Sequence, residues 1–573
     1  MYELWEKRAL AWLAAMMTVG LLLPNHYSPW LSIHQEIATA FAFAPLLLLS
    51  AWRGAKPPVL AWLATGVALC VVIQYLTGKI VFSTDAWMAL LYLLGFALAV
   101  NAGAHLSACA ATNSNELQAL KPLIYLWCGL LLAAVLSVGI AAHQWLMPQY
   151  QGIYVAEIPP GARPFANLAQ PNQLASLLLL GLAGLVFLWE SKKISPLFAS
   201  VLALWIDWGL VLTGSRSVLL AFFWLLPAYF FLRKQSLLRL PMVALFALYA
   251  AYFALSWFWP LASELLLLES PGSTAVDRMG AADVRKVFWF QMLDAVDSAP
   301  WFGWGWGQIG AAQTATALDH PATHAYFDSA HNLFLDLALW AGLPVAILTS
   351  VVLGGWFWKQ VRTVRSPQAW ASLMGVGFIF SHAMVEYPLY YAYFLLPIGL
   401  LMGALSGSNS HPNQNNHNSV WPRIPIVLMS ATAALLSARV VWEYFPFETD
   451  WQLMRFQEAR IGSRAITEPP PAAILTSLHE FLRWSRVEPT PNMPAQDIEQ
   501  MRKISERFAY AAPMYRLALS QALNGQSDAA QLTLARLCRM QSKMACESAL
   551  KDWVEKSTGE FPQLKAIALP ESH

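Results

Sequence analysis

Thirteen windows of about 20 mostly apolar residues follow one another along the first 442 positions. They lie near 9–24, 35–52, 58–77, 86–108, 122–146, 171–190, 196–213, 217–232, 240–260, 332–358, 369–386, 389–405 and 424–442. Each is long enough to cross the hydrocarbon core of a bilayer as a helix. In lipid, every backbone N–H and C=O must find its partner inside the protein, which leaves helices or closed barrels. Continuous apolar runs, without the period-two alternation of barrel strands, select helices. The expected fold is an all-α polytopic membrane protein with about 13 transmembrane helices. Pro388 interrupts the last part of the series, so 369–386 and 389–405 also read as one broken helix. Composition agrees: the chain is 57% hydrophobic and 12% charged, against about 25% charged in an ordinary soluble domain. Its 27 tryptophans and 18 tyrosines suit the two membrane interfaces. A net charge of +2 without a basic stripe excludes a nucleic-acid binder.

The first 24 residues place basic side chains before an apolar stretch without a small-x-small cleavage site, and read as an uncleaved first span. With the N-terminus inside, the inner segments carry Lys7, Arg8, Arg53, Lys56, Lys121, Lys192, Lys193, Arg233, Lys234, Arg239, Lys359, Arg362, Arg365 and Arg423. The short outer loops carry only Lys79, Arg163 and Arg216. This bias fixes the orientation, and an odd number of spans leaves the C-terminus outside. Residues 1–442 therefore form a transmembrane domain with a large outer loop at 261–331. Residues 443–573 form an outer domain of amphipathic helices punctuated by prolines, for which a paired-helix (TPR-like) repeat is one reading. The polar stretch 406–420 reads as a connector. Cys70, Cys109 and Cys128 read as packing residues. Cys538 and Cys546, eight apart in the tail, are compatible with a disulfide or with two thiols.

The outer face collects polar residues that membrane burial does not explain. "RPFANLAQPNQLA" carries Arg163, Asn167, Gln170, Asn172 and Gln173, and "TGSRS" sets Arg216 in a tight turn. "DRMGAADVRKVFWFQMLDAV" carries Arg278, Arg285 and Lys286, and "HAYFDSAHNLFLDL" carries His324 and His331. "SHAMVEYPLYYAY" groups His382, Glu386, Tyr387, Tyr390 and Tyr391 around a proline. Each has an ordinary explanation. Arginines near span ends snorkel to headgroups, Asn332 is a good helix N-cap, and tyrosines belong to the interfacial belt. The combination asks for more, because Arg163 and Arg216 break the chain's own charge bias on the side that holds His331. Guanidiniums hold phosphate oxygens bidentately, and an imidazole exchanges a proton near neutral pH. Together at the outer leaflet they suggest chemistry on a lipid-linked phosphate. His320, His324, Asp328 and His331 fit no familiar zinc spacing, so no metal and no other cofactor is expected. Glycine phosphate loops, a serine elbow and a catalytic cysteine leave no trace.

These same stretches resemble a known family. "SAHNLFLDLALWAGLPVA" resembles the signature of the O-antigen ligase and polymerase superfamily. "RPFANLAQPNQLAS" is similar to the stretch that marks its bacterial O-linked oligosaccharyltransferases, the PglL-type, pilin-glycosylating branch. "DVRKVFWFQMLDAVDSAPWFGWGWGQ" resembles the family's loop helix. The resemblance covers most of 120–405 and, more weakly, the tail. It implies an enzyme of the bacterial inner membrane whose outer face is periplasmic. The donor would be an oligosaccharide on undecaprenyl pyrophosphate, and the acceptor a serine or threonine of a periplasmic protein such as a pilin. The resemblance puts the essential histidine at His331 and the loop arginines at Arg163, Arg216 and Arg285. Donor- and acceptor-binding positions fall on Gln170, Asn172 and Gln173, with Asn332 beside the histidine and Tyr387 matching more loosely. Catalysis would then rest on His331, Arg216 and Arg285 in a metal-independent, inverting displacement. Rival readings keep the chemistry and change the acceptor, as in an O-antigen ligase or polymerase, or replace it with a transporter of lipid-linked glycans. Against a transporter stand the lack of an inverted repeat and the gathering of polar residues at one mouth.

Overall fold

A computed structural model describes the chain except for residues 1, 54–56, 111–118, 151, 160, 269–274, 276–283, 409–422, 460, 462–467 and 571–573. Arg278, Lys56 and most of the 406–420 connector lie outside the described residues. Among those described there is no strand, and the elements are helices. Eight are long and apolar enough to cross a membrane: Ile33–Ala51, Val59–Leu76, Ser83–Ala110, Lys121–Leu146, Pro171–Glu190, Pro196–Thr213, Met242–Leu265 and Ile424–Glu458. Two shorter apolar helices, Arg216–Leu232 and Ala392–Ser408, occupy two more of the expected windows. The protein is thus a multi-pass helical membrane protein.

The chain divides into two units. The first comprises Met1–Gly66, Leu91–Ala281 and Val351–Ser437. Its helices are α1 (Tyr2–Leu21), α2 (Ile33–Arg53), α3 (Val59–Leu76), α4 (Ser83–Ala110), α5 (Ile124–Leu146), α6 (Pro171–Glu190), α7 (Pro196–Thr213), α8 (Arg216–Leu232) and α9 (Met242–Leu265). The second unit begins with Val67–Leu90, so α3 and α4 contribute to both. α6 is the axis of the first unit and packs on α5 and α7. Lipid tails are as apolar as leucine, so membrane helices associate through close packing of small residues rather than through hydrophobic gain. At Gly129 of α5, an added Cβ would sit 2.6 Å from the carbonyl oxygen of Ala14 in α1. Only glycine permits that approach.

The second unit continues with Ala282–Ser350 and Ala438–His573. It holds α10 (Val284–Ser298), α11 (Ile309–Thr316) and α12 (Leu333–Ala341). α13 (Leu343–Thr363) leaves it for the first unit, where α14 (Pro367–Ala383) and α15 (Ala392–Ser408) follow. α16 (Arg423–Glu458) runs through the position where the tail was expected to begin. The tail helices are α17 (Thr476–Arg486), α18 (Ala495–Arg507), α19 (Ala511–Leu523), α20 (Ser527–Met540) and α21 (Lys543–Thr558), each packed on its neighbour in sequence. Cys538 and Cys546 form a disulfide between α20 and α21.

The expected span at 332–358 is two helices, α12 and α13, broken at Gly342. Its φ of 84° is left-handed, and an added Cβ would lie 2.5 Å from the carbonyl carbon of Trp301. A side chain there would meet both strain and a clash. The windows 369–386 and 389–405 are likewise separate helices, with a one-turn 3-10 helix over Pro388–Tyr390 between them.

Candidate active site

In the first unit, the loop after α5 is pinned by two buried amides. Gln144 Oε1 accepts from Phe165 N at 3.0 Å and Ala166 N at 2.8 Å, while its Nε2 donates to the carbonyls of Ala156 and Ala166. Asn167 Oδ1 accepts from Ala156 N, and its Nδ2 donates to the carbonyls of Leu22 and Tyr154. The carbonyl of Asn167 accepts from the side chains of Gln35 and His26. Ala166 and Ala169 sit at φ 52° and 56°. Such conformations persist only where the surroundings over-determine them. The loop is therefore a fixed platform.

That platform carries Arg163. Its Nη1 donates to the carbonyls of Thr213 at 2.7 Å and Gly214 at 3.0 Å, which α7 leaves unsatisfied at its C-terminus. The sequence suggested a phosphate ligand here; the structure shows this nitrogen tying down the turn that presents Arg216. The other side of the turn is held by a relay. Glu386 Oε1 accepts from Asn172 Nδ2 at 2.8 Å, and Asn172 Oδ1 accepts from the Ser215 hydroxyl at 2.8 Å. Ser215 is the N-cap residue of α8, and Arg216 is its first residue. Asn172 thus contacts the scaffold of the arginine turn. One turn along α6, the Ser176 hydroxyl and His382 Nδ1 share a 2.5 Å hydrogen bond. Gln173 differs: it is 1% exposed, and among the described residues neither its Oε1 nor its Nε2 has a partner. Gln170 Oε1 also lacks one among the described residues. The Tyr387 ring lies 5.3 Å from that of Tyr390 and stacks on Tyr391 at 6.1 Å.

The second unit holds the histidine. Asp336, 1% exposed in α12, accepts from the Ser329 hydroxyl at 2.8 Å and from Ala330 N at 2.6 Å. Ser329 Oγ accepts in turn from His331 N at 2.9 Å, and Trp289 Nε1 donates to the Ala330 carbonyl at 2.7 Å. These bonds hold His331 at φ 53°. Its ring meets Phe327 edge-on at 5.5 Å, and Phe327 stacks on Phe288 at 4.3 Å. Asn332 Oδ1 accepts from Phe334 N and Leu335 N, so it caps α12. Arg285 stands one turn before Trp289 on α10, which places it on the helix face that grips the histidine loop. His324 is turned to the tail: its N–H donates to the Arg539 carbonyl at 3.0 Å. Among the described residues, no group of three or more His, Cys, Asp or Glu could hold a metal ion.

Sequence reasoning assigned no role to Asp336, Ser329 or Trp289. One signal was present: Asp336 is a lone carboxylate inside an apolar run, and such residues mark organised sites in membrane proteins. Glu386 was noticed only as part of a polar group.

Comparison with known proteins adds three family matches. Residues 198–350 match a family described as O-antigen ligase. Residues 164–189 match a protein glycosylation ligase family, and 369–540 the C-terminal part of a virulence factor membrane-bound polymerase family. The chain is 29% identical over 550 residues to a general O-oligosaccharyltransferase of Acinetobacter baylyi, covering 92% of each. It is 26% identical over 397 residues to a ComP-specific O-oligosaccharyltransferase of the same organism, covering 68% of this chain and 69% of that one.

Proposed function

We propose that the chain, a glycosyltransferase similar along most of its length to O-oligosaccharyltransferases, acts as a PglL-type enzyme of the O-antigen ligase superfamily and moves a preassembled glycan from undecaprenyl pyrophosphate to a serine or threonine of a periplasmic protein such as a pilin. The enzyme lies in the bacterial inner membrane with its N-terminus cytoplasmic, and its loop 261–331 and tail periplasmic. The observation that carries the reading is the support built around His331. A buried carboxylate, a serine and a tryptophan hold one histidine in a left-handed conformation, beside a helix whose second residue is Arg285.

In the proposed reaction, His331 takes the proton of the acceptor hydroxyl as its oxygen attacks the anomeric carbon. The new carbon–oxygen bond forms as the bond from that carbon to phosphate oxygen breaks. The electron pair leaves on undecaprenyl pyrophosphate, and Arg216 and Arg285 stabilise the growing negative charge. Attack opposite the leaving group inverts the anomeric centre. Arg163 acts by fixing the Arg216 turn, and Asn172 by the relay from Glu386. Gln173, whose two side-chain amide atoms have no partner among the described residues, and Gln170, through its Oε1, bind sugar hydroxyls or the acceptor backbone, with Tyr387 offering a ring face. Asn332 orients the histidine by capping the helix after it. No metal enters this scheme.

The test is co-expression with a lipid-linked glycan pathway and a candidate pilin, followed by intact mass measurement of the pilin. A gain of one glycan mass is expected. Glycan on lipid A–core instead, or lengthened glycan repeats, would make the chain a ligase or a polymerase; the match at 369–540 is what keeps the latter reading alive. Unmodified products with glycan carried across the membrane would make it a transporter.

A further inference from the structure

We infer that the C-terminal helices are an intramolecular clamp that holds the His331 loop in its working conformation, with Tyr326, Arg507 and Arg539 as positioning residues, rather than a docking surface for the acceptor. The inference rests on the role given to His331 above.

Both sides of the clamp lie within the second unit. The Tyr326 hydroxyl, five residues before His331, donates to the carbonyl of Arg507 at 3.1 Å, and its ring meets Tyr510 edge-on at 5.2 Å. Arg507, the last residue of α18, forks onto Asp85: Nη2 lies 2.7 Å from Oδ1, and Nε lies 2.9 and 3.0 Å from the two oxygens. Asp85 is buried and also accepts from Gln308 Nε2 at 3.2 Å. A bidentate arginine–carboxylate pair fixes direction as well as distance. An added Cβ on Gly310 in α11 would sit 2.5 Å from the carbonyl oxygen of Glu506 and 3.1 Å from the Tyr326 ring. The end of α18 is seated on that glycine.

A second grip lies at the stapled turn. His324 N donates to the Arg539 carbonyl at 3.0 Å, and Arg539 Nη1 donates to the His320 carbonyl at 3.2 Å. The Cys538–Cys546 disulfide closes this turn, and both cysteines join an apolar cluster with Leu537, Met514, Ala317 and Tyr326. From the loop's own side, buried Gln313 donates to the Ala325 carbonyl at 2.9 Å and accepts from Phe327 N at 3.0 Å. Two non-glycine residues, His324 within the gripped stretch and His331 five residues past Tyr326, stand at φ 49° and 53°. Residues in this region relax unless their surroundings hold them. The tail supplies part of that hold. A docking surface would need only its outward face, and nothing would be gained by hydrogen bonds from α18 and α20 into the segment leading to the histidine.

The test uses the full chain in lipid nanodiscs. Tyr326→Phe removes one hydroxyl and keeps the ring; a Cys538→Ser/Cys546→Ser double variant opens the stapled turn. Three quantities are read: kcat, the acceptor KM, and hydrogen exchange of the backbone amides over 320–332. Losing a hydrogen bond of ordinary net strength should raise exchange there roughly 5-fold in Tyr326→Phe. It should lower kcat by a similar factor, with the acceptor KM within about 2-fold, because only the reacting geometry is disturbed. Unchanged exchange overturns the clamp, as does raised exchange with an unchanged kcat. A raised acceptor KM at constant kcat overturns it in favour of a docking surface. A wild type that transfers nothing would refute the glycosyltransfer reading, while the exchange data would still decide the clamp.

Discussion

The two units hold their candidate residues in different ways. In the first, the Arg216 turn is built at the ends of apolar helices, and its support comes from the Glu386–Asn172–Ser215 relay and from Arg163. In the second, His331 sits on a non-helical loop whose support comes from α10, α12 and, through Tyr326 and His324, from a tail more than 150 residues away in sequence. A charge-binding element benefits from a scaffold that does not move, since preorganised donors cost no reorganisation as charge develops. A proton-accepting element must be aimed, and aiming a loop residue takes many directional bonds. Arg163 marks the border between these ideas. By charge it is a phosphate ligand; by its contacts with Thr213 and Gly214 it belongs to the scaffold.

This contrast can be broken by measurement. His331→Ala should cost the most, roughly 10²–10⁴-fold in transfer rate as expected for loss of a general base, with membrane insertion unchanged; a rate within a few-fold of wild type would remove the histidine from the chemistry. Arg216→Lys keeps the charge and loses the fork, and should lower donor turnover by about 10²-fold. Arg163→Lys should cost only a few-fold, since its Nη1 is engaged by the Thr213 and Gly214 carbonyls. Equal losses at the two arginines would erase the distinction between ligand and scaffold. Asp336→Ala leaves the Ser329 hydroxyl and the Ala330 N–H without their acceptor, at about 1–3 kcal/mol for each buried group left unpaired. Thermal unfolding should report that loss, and Asp336→Asn, which keeps an acceptor oxygen, should lose less. The smallest effect is expected from a chelator: transfer by purified protein should be unchanged, and loss restored by a divalent cation would transfer the electrophilic role from arginine to metal.

Much of this molecule is legible because membranes impose simple rules. Among the described residues, ten of the apolar windows coincide with eight helices long and apolar enough to cross a membrane and two shorter apolar ones, while the window 332–358 holds two helices. Asn332 before an apolar run announced a helix cap, and it is one. What stayed hidden depends on partners distant in sequence. Gly342 lies in an unbroken apolar run, and nothing nearby says that the Trp301 backbone passes against it. Asp85 near the start of α4 reads as an ordinary first-turn acid until Arg507 is seen 422 positions away. The partners of Arg163 stayed hidden for a related reason: a guanidinium serves carbonyl oxygens as readily as phosphate oxygens, and composition cannot tell which it will meet.

The most direct test of the central claim is the stereochemistry of the bond that is made. Purified protein, chelator-treated, would be incubated with a lipid-linked glycan of known anomeric configuration and a serine-containing acceptor peptide, and the product linkage read by the anomeric proton coupling in NMR. A single displacement, with His331 as base and arginines on the leaving pyrophosphate, predicts the inverted configuration. Retention would require a covalent glycosyl intermediate on a protein nucleophile, and would contradict the account.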